Sequence, residues 1–309
     1  MLANQAACSP WLAVVVGLAS CTQVSDRERF EAETNQIRIL QTVPTAGAQD
    51  ADPDQTVEVC LSGLVDPRSL TPSDTAMASG LAVYDTELVL QLVAWSGPGG
   101  TPVDPEATGP WCEGSVLSVT PESRLTPGAQ YRLRLRNSPT GWAGEPLDAE
   151  RPGWVVPEEG DEPRFFLEFT VDPNAEPVDE GHGVRPGSDD DDDDTPTLED
   201  LFASGGPFDP ERAQCSCHRD PEHLAWRRLD LTDATAAYEG LVGAAGARDG
   251  GFAMVAPRDP SQSFLLHKLL RADGEPLHGI VGEAMPPEGP LPYQDLVAVA
   301  RWIDGGAVP

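Results

Sequence analysis

The sequence predicts a multidomain chain, an all-β sandwich followed by a small, mostly α domain. Two observations carry this. Between Ile37 and Val171, short runs that alternate apolar and polar residues are separated by Pro/Gly turns, with no helical periodicity. Near the end, Leu296, Val299, Ala300 and Ile303 recur at helical spacing and make an amphipathic stripe. A Pro, Gly and Asp-rich stretch separates the two patterns.

At 309 residues the chain is long enough for two compact domains. Its formal net charge is -31, so there is no basic footprint to meet nucleic-acid phosphates or an anionic membrane surface. Residues 1–21 read as an export signal. The apolar run Trp11–Leu18 is too short to span a bilayer, and polar sequence begins at Thr22. Leu18-Ala19-Ser20-Cys21 resembles a lipobox, which implies cleavage before Cys21 and acylation of it. More than one acyl chain gives a stable anchor, so the expected partner at this end is the membrane. Thr22 stands where an aspartate often signals inner-membrane retention, and this tilts the expected localisation in the cell envelope towards the outer membrane. Residues 22–35 read as a short polar tether.

The β-rich segment spans residues 36–172. Its strands are expected at Ile37–Leu40, Thr56–Cys60, Leu88–Val93, Ser115–Val119, Tyr131–Leu135 and Phe165–Val171. In Tyr131-Arg132-Leu133-Arg134-Leu135 the apolar residues should face a core and the arginines water. Cys60 and Cys112 both lie in this segment and are natural disulfide partners in an oxidising compartment; two unrelated buried thiols remain the alternative. Val43–Ala48, Val65-Asp66-Pro67, Leu125–Tyr131 and Gly141–Leu147, in that order, resemble the bacterial Ig-like domain of exported proteins. That family implies a spacer or adhesion module. GxSxG, HExxH and phosphate-binding glycine-loop motifs are absent from the sequence, so nothing marks the chain as an enzyme.

Residues 173–196 form an acidic linker containing the run Asp189–Asp194. Adjacent carboxylates repel one another and favour a solvated spacer, and a plain run supplies no turn to converge them on calcium. In residues 197–309, helices are expected at Leu198–Ser204, Asp233–Val242 and Pro292–Asp304, the last stopped by Gly305-Gly306.

Two pieces here suggest a cofactor: Cys215-Ser216-Cys217-His218 near the front, and Met285-Pro286-Pro287 before the last helix. Together with Leu229-Asp230-Leu231, Tyr238–Gly243, Val255–Leu265, His267-Lys268-Leu269 and Trp302–Ala307, they resemble the cytochrome c-like domains of exported bacterial proteins. The resemblance implies haem c fastened by cysteine, with His218 and Met285 as the two axial metal ligands. It departs from the family at the attachment motif. Cys-x-x-Cys-His is expected, but Gln214 stands in the first cysteine's place and Cys215 comes one residue late. Haem held through Cys217 is one state open to these residues. A zinc site on Cys215, Cys217, His218 and His223 is a second, and a fold without cofactor is a third. His267 and His278 are alternative ligands, and Met254 is the rival methionine.

Two functions follow as expectations. One is an electron-transfer or redox-responsive lipoprotein, with a partner protein that the sequence does not name. The other is a haem-less structural or adhesion lipoprotein of the envelope.

Overall fold

The structure is a computed structural model that describes residues 36–101, 103, 109–142, 144–151, 153–155, 163–175, 195–242, 252–270, 285–287, 289 and 291–309. The expected signal segment with Cys21, the tether, the run Asp189–Asp194 and His278 lie outside the described residues.

The β-rich part forms two antiparallel sheets. The first is ordered β1 (Ile39–Val43), β2 (Val57–Leu61), β6 (Val116–Pro121), β5 (Thr86–Gln91). The second runs β4 (Ala82–Tyr84), β3 (Thr75–Ser79), β7 (Gln130–Arg136), β9 (Arg164–Thr170), β8 (Trp154–Val155). This is a β-sandwich, and each of the six expected strands has its counterpart. Three strands were not expected. In β3, Thr-Ala-Met-Ala-Ser has little strand propensity; pairing with β4 and β7 makes it a strand.

Alternation sets the register of β7. Tyr131, Leu133 and Leu135 are fully buried, while Arg132 is exposed and Arg134 half-buried. Burying each such apolar side chain contributes roughly 1.5–3 kcal/mol. Tyr131 stacks on Phe169 of β9 at 5.8 Å, and its hydroxyl accepts from the Thr126 amide at 2.7 Å, tying the strand to the turn before it.

The expectation of one buried and one wet face fails for the first sheet. Val57, Val59 and Leu61 line the core between the sheets, yet Glu58 and Cys60 on the opposite face of β2 are buried as well. The β5–β6 connection folds over that face. Ala94, Trp111 and Cys112 pack there on Cys60 and Val116, and Cys60 and Cys112 are disulfide-bonded.

After the linker the described residues include four short helices: α1 (Leu198–Phe202), α2 (Ala234–Leu241), α3 (Phe264–Leu269) and α4 (Tyr293–Asp304). Thr197 and Asp200 form a capping box at the start of α1, and Asp233 caps α2 by accepting from the Ala236 amide. Helix α4 buries Val297, Val299, Ala300, Trp302 and Ile303, and Leu296 is half-buried. The indole of Trp302 donates to Val308 O at 2.7 Å, sealing the helix against the chain that follows it. Helix α3 was not expected, because six apolar-rich residues show no period long enough to recognise.

The helical part packs onto the sandwich, and one contiguous apolar cluster includes residues of both. Trp142 of the sandwich meets Phe252 and His267 of the helical part, and the Tyr293 hydroxyl donates to Ala94 O at 2.6 Å. A linker's charge governs the linker alone. Whether its flanking domains dock depends on apolar surface outside it, here on Trp142.

Candidate functional site

Cys215, Cys217 and His218 lie on one short 3₁₀ helix, Ala213–His218, entered from an extended Arg212. Its three residues per turn change the geometry expected of an α-helical motif. Residues three apart eclipse each other, so Cys215 and His218 share one side, and Cys217 points roughly 120° away from both. Both thiols are half-buried and neither is in a disulfide. Cys215 packs against the apolar core.

His218 is held by the segment that follows the motif. Its Nδ1 lies 2.9 Å from Leu229 O, and its own carbonyl accepts from the Leu231 amide at 3.0 Å. A carbonyl only accepts, so this contact assigns the proton to Nδ1 and leaves the lone pair on Nε2.

A second layer secures this pair of segments. The next residue, Arg219, donates to the carbonyls of Phe208, Asp209, Pro210, Arg212 and Leu231 at 2.7–3.3 Å. The Asp209 carboxylate accepts from the amides of Gly205 and Glu211, and these bonds hold it below the usual carboxylate range. Arg212 pairs with Asp295 of α4 at 2.7 Å. Sequence reading missed Arg219, since its partners are main-chain carbonyls and these leave no signature in side-chain identity.

Met285 is half-buried, packs against the core, and is joined to Pro286 by a cis peptide. Its amide donates to Lys268 O at 3.1 Å, which ties the methionine loop to α3. Met254 is buried in the core beside Val255. His267 is fully buried between Trp142 and Phe252, at 4.8 and 4.7 Å between ring centroids. Its Nε2 donates to Ser261 O at 2.7 Å, and Nδ1 has no hydrogen-bond partner among the described residues. Desolvation lowers its pKa to about 4, so it is neutral at ordinary pH. His223 is exposed, and its Nδ1 accepts from the Ala225 amide. Among the described residues, no three His, Cys, Asp or Glu side chains converge into a metal-holding group.

Of the parts a c-type haem requires, the histidine fits. A metal-bound imidazole ordinarily donates its second N–H to a carbonyl or carboxylate, and His218 does so to Leu229 O. The thiols fit singly and not as a pair, because the 3₁₀ turn directs them to different sides.

No family model matches the chain, and no curated protein matches it. Among solved structures it is similar to the S-layer protein rSbsC(31-844), at 13% identity and a TM-score of 0.27, over 47% of this chain and 15% of that one. It is likewise similar to the N-terminal part of the bacterial S-layer protein SbsC, at 15% identity and TM-score 0.27, over 47% of this chain and 26% of that one. Domains 1–6 of surface layer protein SbsC align at 12% identity and TM-score 0.28, over 48% and 15% of the two chains. The chain therefore spans about a quarter or less of the length of these proteins. Among the described residues, no helix is long and apolar enough to cross a membrane.

Proposed function

We propose that the chain is a lipoprotein of the cell envelope, anchored through Cys21, whose helical part carries one c-type haem for electron transfer or redox response. His218 is the proximal ligand through Nε2, Met285 the distal ligand, and Cys217 the attachment point. The observation that carries this reading is the Nδ1 contact of His218 with Leu229 O, which turns the lone pair of Nε2 towards a metal's needs. When bound, haem supplies a one-electron couple, and a neutral thioether ligand favours its reduced state. The protein's own residues orient the imidazole and tie the methionine loop to α3 through the Lys268 carbonyl.

The sandwich acts in this reading as a bacterial Ig-like scaffold. Its antiparallel sheets support the assignment, as does the Tyr131 hydroxyl bonded back to Thr126 at a strand's start. The partner is a redox protein; the strongly acidic chain would steer towards a basic one.

The test is a visible spectrum of the protein exported in a host that matures c-type cytochromes, followed by denaturation and a haem stain. A Soret band that survives denaturation is expected. A colourless protein, where a standard cytochrome matures normally, overturns the haem reading.

The second reading is a haem-less structural or adhesion module. The shared core favours it: Trp142, Phe252 and His267 join scaffold and helical part into one body, which serves mechanical integrity without any cofactor.

A further inference from the structure

Arg219 places every N–H it has on a main-chain carbonyl. Nε donates to Leu231 O at 3.2 Å, Nη1 to Pro210 O at 2.9 Å and Arg212 O at 3.3 Å, and Nη2 to Phe208 O at 2.7 Å and Asp209 O at 2.9 Å. A guanidinium has five donors in a planar fork, so none is left over. The acceptors fall in two segments, Phe208–Arg212 leading into the 3₁₀ helix and Leu231 beyond it. That second segment touches His218 twice, through Leu229 O on the ring and the Leu231 amide on the His218 carbonyl.

The geometry points to Arg219 as the positioning residue of His218: it braces Leu229–Leu231 against the lead-in segment and so keeps the proton on Nδ1 and the lone pair on Nε2. Without the brace, Leu231 loses its tie to the lead-in segment, and Leu229 O is no longer fixed against the ring. Both tautomers of the imidazole then become accessible. Lysine cannot substitute, having three donors at one point where the five carbonyls surround a flat fork. The inference rests on the reading of His218 as a ligand, but its test needs no haem.

The experiment uses the full chain, exported in a host that lacks cytochrome c maturation and labelled with ¹⁵N-histidine. Long-range ¹H–¹⁵N correlation reads the tautomer, and a His218→Ala sample assigns the signal. Hydrogen exchange of the Leu231 amide reads the brace. Wild type should show the Nδ1–H tautomer alone. Arg219→Lys and Arg219→Met should show a mixture, with Leu231 exchanging at least about tenfold faster, the factor for losing one charge-assisted hydrogen bond. Arg212→Ala is the control. It removes the ion pair to Asp295 and the bond to Gly206 O but no contact to Leu231 or His218.

An unchanged tautomer and unchanged Leu231 exchange in Arg219→Lys overturn the assignment. So does an equal tautomer change in Arg212→Ala at matched loss of stability, because the effect would then follow stability rather than the brace. An Nε2–H tautomer in wild type sinks both this assignment and the ligand reading of His218. A colourless protein with the expected tautomer pattern sinks the haem reading alone.

Discussion

His267 of the helical part stands edge-on against Trp142 of the sandwich, with ring centroids 4.8 Å apart and planes at 73°. Arg68 completes the contact from the sandwich side. Its guanidinium lies 5.0 Å from the Trp142 ring centre and 5.8 Å from that of Phe252, and Asp66 holds it there with two parallel hydrogen bonds. The aromatic cluster is thus a joint between the sandwich and the helical part.

Removing Trp142 tests that joint. Trp142→Ala should cost about 3–5 kcal/mol, the usual loss for a buried large aromatic. With one core, the wild type should unfold in urea as one transition by both far-ultraviolet circular dichroism and tryptophan fluorescence. The variant should show two, as helical part and sandwich separate. A single transition with an unchanged midpoint would mean that the joint contributes nothing.

Two buried titratable groups give opposing pH dependences. Glu58 is wholly buried and accepts from the Gly99 amide at 3.0 Å, with Gln91, Ser96 and Ser118 around its other oxygen. Burial raises its pKa to about 7 despite these donors. Between the ordinary carboxylate value and pH 7 the native state holds the proton more tightly than the unfolded chain, so stability falls as pH rises through this window. His267 acts the other way. Its lowered pKa means that from about pH 6.5 down to about 4 the unfolded state binds the proton better, and stability falls as pH falls. Each limb has a slope of up to about 1.4 kcal/mol per pH unit. Between about pH 4.5 and 6.5 the two slopes oppose and largely cancel, so Glu58→Gln should leave the His267 contribution uncompensated and turn a nearly flat profile into one that rises with pH over this window. Denaturant midpoints between pH 4 and pH 8 check this, and an unaltered profile in the variant would refute it.

The sequence made parts of this fold readable and hid others for definite reasons. Strand β7 was legible because Tyr131, Leu133 and Leu135 alternate with arginines, and α4 because Leu296, Val299, Ala300 and Ile303 keep a helical period over two turns. The burial of Glu58 was not, since a carboxylate on a strand reads as the wet face until a loop is known to cover it. The 3₁₀ form of Ala213–His218 was hidden too: spacing of Cys215 and Cys217 shows a departure from the family motif but not the helix type that absorbs it. Trp142 could be read as part of a turn motif, whereas its partners Phe252 and His267 lie more than a hundred residues away.

The disulfide pins the roof over Glu58. Cys60 and Cys112 are 52 residues apart, and chain-entropy arguments give about 4 kcal/mol for closing a loop of that length. The paired substitution Cys60→Ala/Cys112→Ala should lower stability by that order. It should also raise protease sensitivity within residues 92–115 ahead of other loops, because Ala94 and Trp111 pack on this pair. Urea unfolding and timed proteolysis with fragment mapping check both. Equal stability with the disulfide intact and removed would overturn the pinning role.

Cys217 and Cys215 should differ in what their loss does to haem. Cys217 adjoins His218, in the position of the second cysteine of the attachment motif, whereas Cys215 packs against the core. One thiol can form one thioether by adding its sulfur and a proton across one vinyl group, which needs no partner at the second vinyl. Cys217→Ala should abolish haem that survives denaturation, and Cys215→Ala should retain most of it. With a single bond formed, one vinyl stays unsaturated, and the reduced α-band should lie to the red of that of a two-thioether cytochrome. The pyridine haemochrome spectrum of each variant reads both properties in one sample. Equal loss in the two variants, or a band at the two-thioether position in the wild type, would remove the single-thioether attachment.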